Sequence, residues 1–387
     1  MNAPIIIIGS GFAAYQLVKT LRRANTETPI AVFTQDAGHD YNKPDLSHAF
    51  SKQQSVEDLI TLRGPEFAAQ NQISLYAHHR VTAIDTQRNE ITANGEQYRY
   101  SKLVLATGAS PFVPPMAGNA ANKVHTINCL DDFAHHQAAI DQAKEVLIIG
   151  GGLIGTELAA DLAATGKTIT LVEPGRTLMG SQLNRYVATE LADQLSESGV
   201  RIYTGSHITA LDYSEPGSQQ GRLIATTNTG SAIHADAVIV AAGLRPNIGL
   251  AKAAGLKTNR GICVDRYLQS SVTDIYALGD GAEIDGVVMA YLQPIVLSAS
   301  ALAKTLLGQQ TAAHFPPMIV KVKTPSYPIQ IGGNTTTEVK RWNMDIGDSG
   351  IQAKAYGEHD TLLGFIVTGQ QTNQAFPLLR ELMSTAH

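Results

Sequence analysis

Cysteine is nearly absent: the 387 residues hold only 2, Cys129 and Cys263, far apart and in no C-x-x-C pair. A redox dithiol or a thiolate metal site needs closely spaced sulfurs, so neither is expected, and no metal site is read from the sequence. Also missing is an uninterrupted apolar run of the roughly 20 residues that a bilayer span requires. Met1, Asn2, Ala3 and Pro4 lead into a strand without the basic and cleavage-site pattern of a secretory leader, so the expected location is cytoplasmic. Charged residues are few, 16% with a net charge of −5, which favours neither nucleic acid nor an anionic membrane as partner. With 44% hydrophobic residues the chain can build two or three domains with real cores.

Glycine, by contrast, is plentiful at 34 residues, and it is placed in pattern. Ile5, Ile6, Ile7 and Ile8 read as a strand buried on both faces. Gly9, Ser10, Gly11, Phe12, Ala13 and Ala14 follow, where the strand turns into a helix over about 12–22. Gly9 permits the tight turn, Gly11 lets backbone approach a pyrophosphate, and Ala14 is the small residue that lets helix and strand pack. The free N–H groups and positive dipole end of the helix aim at the phosphates, so the expected ligand is a dinucleotide. The pattern recurs after Val146 to Ile149 as Gly150, Gly151, Gly152, Leu153, Ile154 and Gly155. A second echo, at nearly the same offset, pairs the strand ending in Ala106, Thr107 and Gly108 with the one ending in Ala241, Ala242 and Gly243. Two echoes of this kind describe two dinucleotide-binding domains.

Further along, the strand Ile30 to Phe33 ends in Thr34, Gln35 and Asp36, where a carboxylate accepts hydrogen bonds from a ribose. Asp36 is the candidate, with Gln35 as a neutral substitute. In the loop from Asp40 through Asn42, Lys43 and Pro44 to Ser47, Pro44 pushes Lys43 out of helical geometry and predicts a rigid, extended turn. Lys43 is either a solvated loop lysine or a group at the carboxyl edge of the sheet, where ligands sit. A helix is expected over 56–71, strands over 73–76 and 81–85, and a hairpin on Asn94-Gly95. Val81 either sets its backbone against an adenine or belongs to the core.

Pro111 to Pro115 marks the first domain boundary. In the second unit the strand Ile169 to Val172 ends at Glu173, which would bond a 2′-hydroxyl and repel a 2′-phosphate, favouring NADH over NADPH despite Arg176 nearby. Glu157 is expected in the first helical turn after Gly155, either complementing the helix dipole or facing the junction of the two dinucleotides to meet Lys43. Gly243 to Asn247 returns the chain to the first domain, and the strand near Ile275 delivers Gly279 and Asp280, the latter an N-cap or a ligand of a ribityl hydroxyl. A helix is expected over 290–307. From about residue 313 a small α+β module follows, with Lys321, Lys323, Lys340 and Arg341 beside Trp342 as a solvated face or a partner-docking patch.

Together the two glycine motifs, the Tyr-Asn-Lys-Pro-Asp-Leu-Ser loop, the Ala-Ala-Gly-Leu-Arg-Pro-Asn return and the Ile-Tyr-Ala-Leu-Gly-Asp segment resemble an FAD-dependent pyridine-nucleotide oxidoreductase. Over essentially its whole length the chain is similar to rubredoxin and flavorubredoxin reductases. The resemblance implies an α/β fold of two Rossmann-like dinucleotide-binding domains, the NAD domain inserted in the FAD domain, plus a small C-terminal α+β domain. The expected divisions are 1–110 with 243–312 for FAD, 111–242 for NADH, and 313–387. It also implies that Gly9 to Phe12 cradle the FAD pyrophosphate, Gln35 and Asp36 lie at the adenosine ribose, and Val81 at the adenine. Lys43 would stand near the flavin, Asp280 at the ribityl chain, Leu292 at the pyrimidine edge, and Lys323 would reach the isoalloxazine. Glu157 would pair with Lys43 and move as nicotinamide enters.

The activity so implied is hydride transfer from NADH to FAD, with nicotinamide stacked at roughly 3–3.5 Å, then single-electron delivery to a rubredoxin or the rubredoxin domain of a flavorubredoxin. A disulfide reductase or a cysteine-dependent peroxidase of this fold would need sulfur where the chain has Asn42 to Asp45. The alternatives are an NADH:ferredoxin or quinone reductase, or a protein that senses redox state by holding FAD and NADH without turnover.

Overall fold

The computed structural model describes residues 3–215 and 221–385; Met1 and Asn2, the start of the lead into the first strand, lie outside them. The chain divides into two compact units. One comprises Met1–Lys43, Val56–Ser110 and Leu244–Phe315, the other Pro44–Ser55, Pro111–Gly243 and Pro316–His387.

In the first unit a parallel sheet runs in the order Ile275–Ala277, Lys102–Leu105, Ile5–Ile8, Ile30–Phe33, Ser74–Tyr76. Ile5–Ile8 is central, with Ile8 in register with both Phe33 and Leu105, and all four isoleucines are buried. Such burial stabilises by roughly 1.5–3 kcal/mol per side chain, which is why the run carries no polar alternation. The helix Phe12–Ala24 buries Ala14, Tyr15, Leu17, Val18 and Leu21, the spacing of one helical face. A three-stranded antiparallel sheet, Val81–Asp85, Glu90–Ala93 and Glu96–Arg99, completes the pattern, with Val81 half-buried at its edge.

The helix expected over 56–71 is broken into a helix Val56–Leu59, a strand Ile60–Leu62 and a helix Gly64–Asn71. Ile60–Leu62 pairs antiparallel with Asp40–Tyr41, and an added Cβ on Gly64 would come 2.4 Å from the Ala37 carbonyl oxygen. Pro65 then stands in the first turn of the second helix, where its missing N–H is not needed.

Within the second unit the parallel order is Val200–Thr204, Thr168–Glu173, Glu145–Ile149, Ala237–Val240, again with a three-stranded antiparallel sheet, Ile208–Tyr213, Leu223–Thr227 and Ala232–Ala235. Residues expected as a separate third domain form a sheet of their own inside this unit. It is antiparallel, in the order Ile319–Val322, Ile329–Gly333, Leu362–Thr368, Gly350–Tyr356, Arg341–Gly347. The helix Ala375–Thr385 covers it, burying Leu378 and Leu382 against Phe365 and Val367. Among the described residues no helix is long and apolar enough to cross a membrane, and no group of His, Cys, Asp and Glu could hold a metal ion.

Candidate functional site

Both glycine turns are built for close approach. Gly9 sits at φ 114° and Gly150 at 110°, and a Cβ on either would come 2.3 or 2.5 Å from the carbonyl oxygen of Ala106 or Ala241 on the neighbouring strand. Around Gly11 and Gly152 the opposite holds: nothing lies within 4 Å of an added Cβ. Each precedes a helix, Phe12–Ala24 or Leu153–Ala163, whose first turn has no side-chain cap. Two uncapped helix starts above open backbone fit an anionic group of phosphate size. At the third small position the two motifs differ. A Cβ on Gly155 would meet the Gly150 carbonyl oxygen at 1.9 Å, whereas Ala14 is accommodated with no exposure.

The first unit gathers residues far apart in sequence around its turn. A Cβ on Gly279 would meet Ala13, and one on Gly281 would lie 3.1 Å from the Gly108 carbonyl. Asn247 closes this corner: its side-chain amide donates to Thr107 O at 2.9 Å, its backbone N–H to Gly108 O at 2.9 Å, and Thr107 Oγ1 donates to its carbonyl at 3.0 Å. Asp280 lies within a short 3-10 turn, Gly279–Gly281, and therefore is no N-cap. Its Oδ2 is 3.6 Å from Lys43 Nζ. Lys43 itself opens a 3-10 helix, Lys43–His48, in place of the extended turn expected, because Pro44 suits the first turn of a helix as well as an extended one. Asn42 is exposed and Pro44 half-buried beside it.

Asp36 turns inward. Its Oδ1 accepts from Ser10 Oγ at 2.7 Å, Thr34 Oγ1 at 2.7 Å and Gly38 N at 2.8 Å, so it braces the glycine turn, while Gln35 is exposed. Glu173 does the same in the second unit, accepting from Gly151 N at 2.6 Å on one oxygen and Gly175 N at 2.6 Å on the other. Carboxylates after the second strand thus use their oxygens on local N–H and O–H groups. Ile154, Leu292 and Gly243 are exposed, Leu153 and Ala242 half-buried. Leu292 begins the helix Leu292–Leu306 behind the uncapped Tyr291.

Glu157 departs from expectation in its place on the helix: it lies in the second turn of Leu153–Ala163, too far along to complement the dipole. The carboxylate is buried; Oε2 accepts from Ser47 Oγ at 2.9 Å and Oε1 from the Lys323 backbone N–H at 2.9 Å. His48 Nε2 lies 3.3 Å from Oε2 but off the line of a hydrogen bond. One turn on, buried Asp161 accepts from Phe50 N at 3.1 Å, Ser51 N at 3.2 Å and Ser51 Oγ. Sequence reasoning assigned no role to Ser47, His48 or Asp161. The signal was there for Asp161, four residues after Glu157 and so on the same helical face.

Lys323 is exposed, its ammonium 4.0 Å from Asp45 Oδ1. The basic patch expected around it is largely paired: Lys340 with Glu358 at 3.8 Å and Arg341 with Asp360 at 2.9 Å, Arg341 also stacking over Tyr356. Both cysteines are free thiols, and burial pushes Cys129 up to about 11, leaving it protonated at neutral pH.

The pyridine nucleotide-disulphide oxidoreductase family matches residues 3–299, and a family described as the rubredoxin binding C-terminal domain matches residues 312–382. A nitric oxide reductase FlRd-NAD(+) reductase of Aliivibrio fischeri is 53% identical over 385 residues, covering 100% of both chains. Its namesake from Escherichia coli is 42% identical, covering 99% of this chain and 100% of its own. Among solved structures, a ferredoxin reductase for the CYP199A2 system of Rhodopseudomonas palustris superposes with a TM-score of 0.88 at 26% identity, covering 98% of this chain and 95% of its own. The sequence echoes, the paired parallel sheets and these matches agree: the chain belongs to the pyridine nucleotide-disulphide oxidoreductase family.

Proposed function

We propose that the chain is a cytoplasmic NADH-dependent flavoprotein reductase that passes electrons singly to a rubredoxin, or to the rubredoxin domain of a flavorubredoxin. The observation that carries this reading is the end-to-end similarity, at 53% identity, to a protein named nitric oxide reductase FlRd-NAD(+) reductase. A matched rubredoxin-binding module at residues 312–382 supports it.

FAD is assigned to residues 1–110 and 243–312, NADH to 111–242 and acceptor binding to 313–387. The two cradles fit such groups, since at Gly11 and Gly152 a Cβ would stand in open space before an uncapped helix. In the first unit Gly9 to Ala14 would hold the pyrophosphate, Asp36 and Gln35 the ribose end, Val81 the adenine, and Ala106 to Gly108 with Gly279 and Asp280 the ribityl side. Lys43, tied to Asp280, would present its ammonium at the flavin, with Asn42 and Pro44 shaping the loop. Leu292 would lie at the pyrimidine edge, where its helix start favours negative charge. In the second unit Gly150 to Gly155, Ala242 and Gly243 would hold NADH, Glu173 would select its free 2′-hydroxyl, and Glu157 and Lys323 would face the nicotinamide region. Bound FAD supplies one capability that no side chain here has, taking electrons in pairs from NADH and releasing them one by one. The protein's own task is to orient nicotinamide and exclude water; no general base or nucleophile is called for.

Anaerobic stopped flow tests this. Flavin bleaching by NADH, followed by fast reoxidation with rubredoxin or flavorubredoxin, is the expected result. Bleaching without reoxidation by either, but with reoxidation by a ferredoxin or quinone, would remove the rubredoxin reading, and failure to bleach would remove the enzyme.

A further inference from the structure

Residues Pro44–Ser55 leave the run of the first unit and are held wholly within the second. What holds them is one face of the helix Leu153–Ala163. Glu157 takes Ser47 Oγ and stands beside His48 Nε2, and Asp161 takes both backbone N–H groups of Phe50 and Ser51 together with Ser51 Oγ. Gln137 adds a bond from its amide to Gln54 O at 2.9 Å. Leu46, Ser47, His48, Ala49 and Phe50 are all buried beneath this clamp.

We infer that Asp161 is a positioning residue for Glu157, acting through this strap. Two buried carboxylates one turn apart would repel each other and lose hydration, so each needs its own donors. Asp161 has three, all on the strap. Glu157 has Ser47 from the strap and the Lys323 N–H from the C-terminal module, with no bond to Asp161 itself. Residues Ser47 and His48 are separated from Phe50 and Ser51 by a single buried alanine. Slack at Phe50 and Ser51 is therefore passed directly to the donors of Glu157. The consequence is that the carboxylate expected at the nicotinamide is aimed by a residue that does not touch it. This rests on the proposed function for its kinetic meaning, though not for its structural one.

The test has two arms. In the protein without added nucleotide, Asp161→Asn removes the charge and one acceptor oxygen: the Phe50 and Ser51 N–H groups keep only a weaker neutral acceptor, and Ser51 Oγ loses its own. It is expected to speed amide hydrogen exchange in the strap and also around Lys323, which Asp161 does not contact. In the flavin-loaded enzyme the same variant is expected to raise the NADH KM roughly three- to tenfold, the size of one to two lost hydrogen bonds. The kcat should change less than about twofold, and the effect should vanish when Glu157→Gln is already present. Ser51→Ala, which removes one bond of three, should give the same pattern at smaller size and serves if Asp161→Asn does not fold. Exchange changes confined to the strap, or Asp161→Asn and Glu157→Gln effects that simply add, would overturn the inference. If wild-type flavin is not bleached by NADH, it is the proposed function that falls, and the exchange arm still decides the clamp.

Discussion

Within each cradle, single glycines do separable jobs, and the distances say which. Gly155→Ala should prevent correct packing of Leu153–Ala163, because its Cβ would sit 1.9 Å from the Gly150 carbonyl, backbone that cannot step aside. Gly152→Ala has open space around it, so the fold should survive with an unchanged melting temperature while NADH affinity falls at least about tenfold through loss of backbone approach. Thermal melting and NADH titration of the two variants separate these outcomes. A different residue-scale effect lies at His125, whose Nδ1 is 2.9 Å from His136 Nδ1. Burial, then the neighbouring His136 and His135, lowers His125 from 6.5 to about 4. Between those values the unfolded chain binds a proton that the folded one refuses, so stability is full above about pH 6.5 and is lost as pH falls toward 4. Partial exposure to solvent limits the loss to about 1 kcal/mol. The melting temperature of His125→Gln should therefore drop less between pH 7 and pH 5 than that of the unaltered protein.

Elements with apolar runs are where sequence and structure agree best. Ile5–Ile8, Ile30–Phe33 and Glu145–Ile149 are strands buried between layers, and nothing but burial is needed to specify them. The C-terminal sheet depends on such a point too: the Phe365 ring is fully buried, and a Cβ on Gly332 would press within 2.4 Å of it. Phe365→Ala should cost roughly 3–5 kcal/mol, read as a lower urea midpoint for loss of the C-terminal module's structure. The break at Ile60–Leu62 was hidden because its causes are distant: pairing with Asp40–Tyr41 and the approach of Ala37 to Gly64. The same holds for the site. Local spacing made the cradles legible, since Gly9 to Ala14 and Gly150 to Gly155 are contiguous. It could not place the partners of Glu157, because Ser47 lies 110 residues away and Lys323 166 residues away, with nothing in either neighbourhood marking the bond. The pairing of Lys43 with Asp280 escapes a sequence reading for the same reason.

For the molecule as an electron carrier, the question is which charges remain available to a partner. The residues Lys321, Lys323, Lys340 and Arg341 read as one basic patch in sequence, yet the fold treats them unequally. Lys340 and Arg341 lie opposite Glu358 and Asp360, which cancel their charge at short range. Lys323 is partly satisfied by Asp45, its side chain 45% exposed. Lys321 is exposed, in register with the neutral Gln330, and makes no ion pair among the described residues. An opposed pair contributes little to a field felt beyond the Debye length of about 8 Å at physiological salt, whereas an unopposed lysine steers a charged partner during approach. Reversing Lys321 to Glu should thus slow reoxidation of the reduced flavin by rubredoxin several-fold at low salt, with the deficit shrinking as salt is raised. Reversing Lys340, by contrast, leaves Glu358 unmatched and also changes local charge by two units, so its effect on rate should be smaller than that of Lys321 only if docking lies on the Lys321 side of the sheet. Stopped-flow rates for the two variants across a salt series compare these directly: a deficit relative to the unaltered protein that shrinks more with salt for Lys321→Glu places the acceptor at the strand Ile319–Val322, and one that shrinks more for Lys340→Glu moves it to Arg341–Gly347.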